Sequence, residues 1–297
     1  AGGSGYMSRG LWTSNYAIPS VTGGNVYGSK EGTAVSLTIN GGEFYCENGI
    51  FAGGRGTNWY YSTNPYGGNA SDYIALGQTY GNVALNINGG TFHCPIFGGG
   101  YGVADARLYD KNHTTNIITT LSDMARIYGK SNVTIYGGTF YQNIYGGGDM
   151  AVVENGKEDA TNVIIGDHAD IRGSVFAGGK GRKRRLTTPN TTTELTNDFA
   201  LEPEKVGKVI GNTNVTFTGS GQQAPSIYGD IYGGGNYAQV EGSTNVNILA
   251  ANFAGQIFGG GMGNIKDNSG KELTDKDKFT SADILGNTNV NLAHDFG

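Results

Sequence analysis

Six glycine-rich strings are the first places in this sequence where ligand chemistry could occur. Each follows an aromatic residue, as in FGGGYG at 97–102, and similar strings bind phosphate groups in nucleotide-binding loops. A phosphate loop needs a helix after its glycines, and one class also needs Lys followed by Ser or Thr. No helical pattern follows any of the six strings, and Lys180 is followed by Gly181. We therefore interpret the strings as structural corners, where glycine permits positive φ and close contact between backbones.

Carboxylates that could cleave polysaccharides occur in two local groups. These groups are Asp167, His168 and Asp170, and Glu154, Glu158 and Asp159. Acid–base cleavage of a glycan needs carboxylates that face one groove. Neither group has a matching acid at the equivalent position of the next repeat, so we predict solvated surface charge and no enzymatic activity. A polysaccharide lyase or hydrolase is the alternative.

The run KGRKRR at 180–185 is the one concentrated stretch of positive charge. Its residues Arg182, Lys183, Arg184 and Arg185 could contact acidic glycans or a bacterial surface, or form an exposed protease site. A solvated loop without a partner is the simpler interpretation. Nucleic acid is not an expected partner, because a net charge of −5 and a pI near 5.4 leave no general excess of Lys and Arg.

Aromatic residues suited to sugar binding are concentrated in the segment NWYYSTNPYGG at 58–68. Exposed flat rings with Asn and Thr between them can stack on sugar rings and form hydrogen bonds with them. The alternative is that these rings only fix their loops to the body of the protein. The candidate residues are Trp59, Tyr60, Tyr61, Tyr66 and, from an earlier segment, Trp12.

The two cysteines, Cys46 and Cys94, each lie four residues after the second glycine of a Gly-Gly pair. If the two segments are stacked repeats, their Cα atoms should be about 4.8 Å apart, within the range of a disulfide. We predict a Cys46–Cys94 disulfide in an oxidising compartment, with two packed thiols as the alternative. The sequence has neither a CxxC pattern nor a calcium-binding nonapeptide repeat. No metal site or cofactor is therefore predicted, although an insertion loop could still bind calcium.

The repeat that positions these residues is anchored on an Asn-Val pair, with Ala34 in place of Asn in the first copy. A unit contains an alternating strand such as NVTIY, a glycine pair, an apolar-aromatic pair and the glycine string. A further short strand, such as ARIYG at 125–129, precedes most anchors. Three short strands per unit without a helical period predict an all-β, three-sided parallel β-helix of about seven coils. The anchor valines are Val35, Val83, Val133, Val163, Val215, Val246 and Val290.

Stacked coils should align equivalent side chains into ladders that share one core. Stacked asparagines could also bond to one another and so satisfy groups that would otherwise be unpaired. The predicted aromatic ladder is Phe51, Phe97, Tyr145, Phe176, Tyr232 and Phe258, and the predicted asparagine ladder is Asn82, Asn132, Asn162, Asn214, Asn245 and Asn289.

Residues 1–297 are predicted to form a single solenoid segment that starts and ends within a coil. AGGSG at 1–5 matches the coil-closing AGGRG at 52–56, and TNVNLAHDFG at 288–297 matches only the first part of a coil. We expect either an excerpt of a longer array or a protomer whose ends complete each other. Nearly all length variation falls after the glycine strings, so insertion loops should leave one side of the solenoid and form its binding face. These loops are predicted at about 57–72, 103–123, 182–206 and 264–281.

The GGTF and IYGGG segments of these coils resemble the right-handed parallel β-helix of pectin-lyase-like proteins, in particular the glycine-rich repeat proteins and adhesins of bacterial surfaces. The resemblance covers nearly the whole chain but is one of repeat style. It implies the fold and a secreted or surface location, and it carries no catalytic residue with it.

These observations together predict a non-enzymatic, extracellular bacterial protein that serves as a rigid stalk or filament segment. Its loops would contact glycans or surfaces, and its partners would be adjacent copies, flanking repeats or surface glycans. No membrane span is expected, because no apolar run is long enough to cross a bilayer. Besides an enzyme, a phage or injection-machine fibre is an alternative, and that interpretation would require trimerisation.

Overall fold

The structure, a computed structural model, is built almost entirely from short β-strands. Most strands pair in parallel with the equivalent strand of the next coil, which confirms the predicted parallel β-helix. The only helical element in the described residues is one 3-10 turn, Pro203–Lys205. The described residues are 6–7, 21–22, 24–29, 31–56, 76–103, 105–109, 116–120, 122–184, 199–200, 203–219, 224–264, 266, 272 and 281–293.

The coils form four rows of strands, here called rows A to D in chain order. Row A consists of β3 (Val26–Tyr27), β7 (Thr79–Tyr80), β13 (Ile127–Tyr128) and the first residues of β16 (Val153–Ile171) and β20 (Val209–Phe217). Row B consists of β4 (Thr33–Ile39), β8 (Asn82–Ile87), β14 (Ser131–Phe140), the middle of β16, the rest of β20, β23 (Thr244–Ile248) and β26 (Thr288–Leu292).

Rows C and D contain the shortest strands. Row C consists of β5 (Glu43–Phe44), β9 (Thr91–Phe92), the ends of β14 and β16, β21 (Ser226–Ile227) and β24 (Asn252–Phe253). Row D consists of β6 (Ile50–Phe51), β10 (Ile96–Phe97), β15 (Ile144–Tyr145), β17 (Val175–Phe176), β22 (Ile231–Tyr232) and β25 (Ile257–Phe258).

Three further strand pairs lie outside these rows. Two are antiparallel, β1 (Tyr6–Met7) with β2 (Val21–Thr22) and β11 (Asp105–Tyr109) with β12 (Asn116–Thr120). The third is parallel, β18 (Lys183–Arg184) with β19 (Phe199–Ala200). The second and third pairs fall within the predicted insertions, so those segments contain strands of their own.

Row C is absent from the sequence prediction, which has three strands per coil. Its strands are two residues long, as in Thr91–Phe92, and they follow a glycine pair that is typical of a turn. In β14, rows B and C join into one strand with an irregular pairing between Ile135 and Gly137. The glycine pair therefore bends a strand here and does not end it.

Apolar side chains alternate with polar ones along row B and fill the interior of the solenoid. In β20, every second residue from Val209 to Phe217 is buried. Phe44, Phe92 and Phe140 of row C stack inside the same core, with ring centroids 4.9 and 4.7 Å apart. Each coil thus covers apolar side chains that its neighbour could not bury alone.

The six rings of the predicted aromatic ladder do stack, with neighbouring centroids 4.6 to 5.0 Å apart. The five rings from Phe51 to Tyr232 form a cluster separate from the interior core, because the residue before each ring already points inward. Phe97, Tyr145 and Phe176 are nevertheless at most 2% exposed. This row of rings is therefore a second apolar core on the outer side of row D, and we call it the ring ladder.

The asparagine ladder forms in part. Equivalent asparagines from Asn132 to Asn289 pair in register. Side-chain hydrogen bonds of 2.9 Å run from Asn245 Nδ2 to Asn214 Oδ1 and from Asn289 Nδ2 to Asn245 Oδ1. The prediction is wrong for Asn82, because Asn132 pairs with Ala84 and the Asn82 side chain instead accepts a bond from a backbone N–H, that of Lys130, at 2.8 Å.

The physical reason for this shift lies in the core. Val83 precedes Phe92 by nine residues, whereas Val133 precedes Phe140 by seven. The structure keeps Phe92 stacked on Phe140, so Leu85 and not Val83 lies beside Val133. Stacking of the large buried rings sets the register of this coil, and the Asn-Val pair is shifted by two residues as a result.

A row of buried hydroxyl groups joins row B to the residue that follows each of the last four rings of the ring ladder. Ser131 Oγ donates to the carbonyl of Gly146 at 2.6 Å, and Thr161 Oγ1 donates to the carbonyl of Ala177 at 2.6 Å. Thr213 and Thr244 make the equivalent bonds at 2.5 Å. These bonds satisfy carbonyl groups that would otherwise be buried without a partner.

The glycine strings are corners, as predicted, but their main requirement is close approach between coils. A Cβ atom on Gly99 would lie 2.3 Å from the backbone nitrogen of Gly148, a distance that no side chain tolerates. Positive φ occurs instead at the glycine pairs, with 112° at Gly42, 125° at Gly90 and 116° at Gly138. The two kinds of glycine therefore serve different purposes.

We predict that Gly99→Ala destabilises the protein by about 2 kcal/mol or more, because the added methyl group must push two coils apart. Gly89→Ala is the matched control, since the nearest atom to its Cβ would be a carbonyl oxygen 3.6 Å away. Urea unfolding followed by circular dichroism measures both. Equal unfolding midpoints would contradict the proposed role of the corner.

We also predict that Thr161→Val lowers the free energy of unfolding by about 1–3 kcal/mol, because the buried carbonyl of Ala177 loses its donor. Thr134→Val is the control: it lies on the outer side of row B, in register with Ile164, so an apolar residue is already tolerated there. The same unfolding measurement tests this pair, and a neutral Thr161→Val would show that the hydroxyl row is dispensable.

Candidate binding surface

A line of exposed side chains runs along the solenoid beside row C. It consists of the residue that follows each row C strand from β5 to β21, and we call it the outer stripe; the residue after β24 is the small Ala254. Tyr45 is 70% exposed, Tyr141 44% and Tyr228 59%. The residues of the outer stripe are Tyr45, His93, Tyr141, Arg172 and Tyr228.

The first three rings of the outer stripe stack face to face. Tyr45 and His93 have centroids 4.3 Å apart, and His93 and Tyr141 4.7 Å apart, with interplanar angles of 3° and 8°. The Arg172 guanidinium lies 4.8 Å from the Tyr141 ring centroid. Because neighbours cover the ring faces, the stripe presents ring edges, hydroxyls and a cation to solvent, groups that form hydrogen bonds with polar ligands.

Two carboxylates orient the stripe. The Tyr45 hydroxyl donates to Glu43 at 2.6 Å, and His93 Nε2 lies 3.1 Å from the same oxygen. These contacts lower the pKa of Glu43, with the Tyr45 bond as the larger cause, and the same bond raises the pKa of Tyr45. Asp170 accepts from Arg172 at 3.2 Å.

The sequence prediction missed the outer stripe, although a signal exists. EFY, TFH, TFY, DIR and SIY all place a large polar side chain directly after a core residue of row C. This signal can be recognised only once the row C strands are known, and the glycine pairs before these strands indicate a turn in the sequence.

A cleft of about 380 Å³ opens beside Phe51, the first member of the ring ladder. Glu47, Asn48 and Arg55 line it together with Tyr101, whose ring lies 5.8 Å from the Arg55 guanidinium carbon. A carboxylate, an amide and a cation beside aromatic rings could hold a small polar ligand.

The basic run is less free than its sequence predicts. Arg182 Nη1 lies 3.6 Å and Lys180 Nζ 2.9 Å from the oxygens of Asp149, a carboxylate whose side chain is 4% exposed. Removing the buried carboxylate from water is costly without such partners, so these two cations stabilise the fold. Part of the Arg182 charge is therefore paired with Asp149 within the protein. Lys183 and Arg184 form β18, their side chains are not described, and Arg185 lies outside the described residues.

The aromatic candidates of the loops also lie outside the described residues: Trp12, Trp59, Tyr60, Tyr61 and Tyr66. Their predicted role in sugar binding stays a prediction.

Charged partners account for several of the acids considered for catalysis. Glu154 Oε2 contacts Arg126 at 2.5 Å, and Asp170 contacts Arg172. Within the described ranges, no three His, Cys, Asp or Glu side chains come together as a metal ion would require. Calcium binding by an insertion loop stays untested.

The two cysteines lie on neighbouring coils as predicted, but the structure has both thiols free, so the predicted Cys46–Cys94 disulfide is not formed. Equivalent residues of neighbouring parallel strands are about 4.8 Å apart. Disulfides need about 3.5–4.5 Å between Cβ atoms. A Cα distance within the permitted range is therefore not sufficient for a disulfide.

We predict that iodoacetamide modifies the exposed Cys46 in the folded protein and spares Cys94, which is 2% exposed. Burial raises the pKa of the Cys94 thiol to about 11, so its reactive thiolate is scarce near pH 8 and increases only as the pH approaches that value. Peptide mass mapping measures the modification, and a denatured, unreduced sample should show two free thiols. Absence of free thiols would restore the disulfide.

Comparison with known proteins gives no relative: no family model, curated protein or solved structure matches the chain. In the parts of the chain that the structure describes, no helix has the length and apolar character of a membrane span.

Proposed function

We propose that the chain is a structural and adhesive segment of a bacterial surface protein, a rigid solenoid spacer that carries glycan-contacting surfaces. The observation that supports this role most strongly is the continuous parallel pairing of row B from β4 to β26. Stacked coils with one shared core resist bending and can be extended by adding further coils.

The distribution of charge supports a scaffold role. Arg126, Lys180 and Lys208 each contact a carboxylate of another segment, so these charges stabilise the coils. Contact with glycans would then fall to the exposed outer stripe, the cleft beside Phe51 and the insertion loops, including Trp59.

Partner coils form the second part of the proposal. Val290 and Leu292 of β26 are 44% and 56% exposed, whereas the residues they stack on, Val246 and Ile248, are buried. Apolar residues at an open strand edge favour the addition of another strand. Adjacent copies or flanking repeats of a longer chain would provide it.

A glycan array with the purified chain tests the adhesive part. We expect binding that weakens by about fivefold or more in Trp59→Ala, which removes a flat aromatic ring, or in Tyr228→Ala, which removes an exposed ring edge and hydroxyl. Tyr27→Ala is the matched control, a 76% exposed tyrosine of row A, remote from the outer stripe in the order of rows.

The same array distinguishes adhesion from catalysis. Polysaccharides recovered after binding should have an unchanged chain length. Assays for new reducing ends and for unsaturated products, which hydrolases and lyases respectively generate, should detect neither. Release of shortened products would favour the polysaccharide-degrading enzyme, and absence of binding to any glycan would contradict the adhesive role.

A further inference from the structure

The outer side of row B carries two lines of side chains that contain no charged residue, and we call this surface the amide face. Its members alternate with the buried core residues along each strand and are half-buried or exposed. The amide face consists of Ser36, Thr38, Ala84, Asn86, Asn132, Thr134, Asn162, Ile164, Asn214, Thr216, Asn245, Asn247, Asn289 and Asn291.

The composition of this face is unusual for strands. Asparagine is depleted in β-strands because it packs poorly on a pleated surface. Asparagines nevertheless occupy most positions of the amide face, while charged residues occur on the outer sides of rows A and C, as with Glu154, Glu43 and Asp170. Charge is therefore absent from the outer side of row B and present on the outer sides of rows A and C.

Hydrogen bonds join the amides of the last three coils into a regular array. Asn291 Nδ2 donates to Asn247 Oδ1 at 2.8 Å, and Asn245 and Asn289 donate along the neighbouring line at 2.9 Å. A primary amide has two N–H donors and an oxygen with two lone pairs. A residue inside a ladder thus keeps one donor and one acceptor site for a ligand.

The spacing of the array follows from the sheet. Equivalent residues of adjacent coils are about 4.8 Å apart, and alternate residues of a strand are roughly 6.6–6.8 Å apart. The face therefore presents neutral donors and acceptors on a flat grid. An exposed ring and an apolar side chain, Tyr136 and Leu249, border it on the side toward row C.

We propose that the amide face binds a neutral polysaccharide laid along the solenoid. Glycan hydroxyls both donate and accept hydrogen bonds, which matches the free groups of each amide. An ionised glycan would lose water without gaining an opposite charge on this face. The inference rests on the proposed adhesive function and specifies its ligand class and a surface outside the insertion loops.

Pull-down of the whole chain by cellulose and chitin particles, with soluble pectate as the acidic competitor, tests the proposal. Asn247→Asp adds a charge to the amide face with almost unchanged shape, and the introduced carboxylate would still accept the bond from Asn291. Asn252→Asp makes the same change on row C, where the amide forms only a 3.4 Å bond to the carbonyl of Ala224.

We expect Asn247→Asp to weaken binding to the particles by about fivefold or more and Asn252→Asp by less than about twofold, with equal urea midpoints for both. Pectate should not compete. Thr216→Glu gives a second charge on the face that leaves the amide ladders intact.

Several results would overturn this inference. Equal binding by the two Asp variants, or displacement by pectate, would reject the amide face as the binding site. Adhesion through Trp59 and the outer stripe would remain open to the glycan array. Failure to bind either particle, together with glycan-array binding, would also reject the amide face alone. Failure of both assays would contradict the adhesive function as well.

Discussion

The packing of backbone against backbone at the glycine corners is the constraint on which the stacking of the coils depends. The backbone of Gly99 lies against Gly148, and that of Gly147 against Gly179, so any side chain there would separate the coils. Buried hydroxyls such as that of Thr161 then attach four of the corners to row B. The ring ladder lies directly beside these corners, and its stacking distances of 4.6 to 5.0 Å match the spacing of parallel strands.

This common spacing also decides where charges can be placed. Like charges in adjacent coils would be about 4.8 Å apart and repel each other, and a buried charge needs a partner. Asp149 accordingly lies beside Lys180 in the next coil, and Glu43 beside His93. Charged side chains therefore contribute first to the coil contacts, and ligand recognition depends on exposed groups such as Tyr228 and on the uncharged amide face.

The sequence predicted the architecture well because the repeat is visible in the positions of aromatic and glycine residues. It predicted the six stacked rings from Phe51 to Phe258 without knowing which side of row D they occupy. It failed at row C, where two-residue strands after a glycine pair have no recognisable period. The outer stripe depends on row C and was missed with it. The cysteines were correctly placed in neighbouring coils, but the close approach of Cβ atoms that a disulfide also needs does not follow from residue spacing.

Sequence alone therefore determined the fold class and the membership of the ring ladder, because both depend on recurrence of residue types. Tertiary structure decided the register and the orientation of side chains. Asn82 lies outside the asparagine ladder because Phe92 stacks on Phe140 in the core. Arg182 forms an ion pair because Asp149 is buried beside it. Recurring residue types indicate which positions of the coils are equivalent. Burial and stacking between coils decide which of these residues lie beside one another.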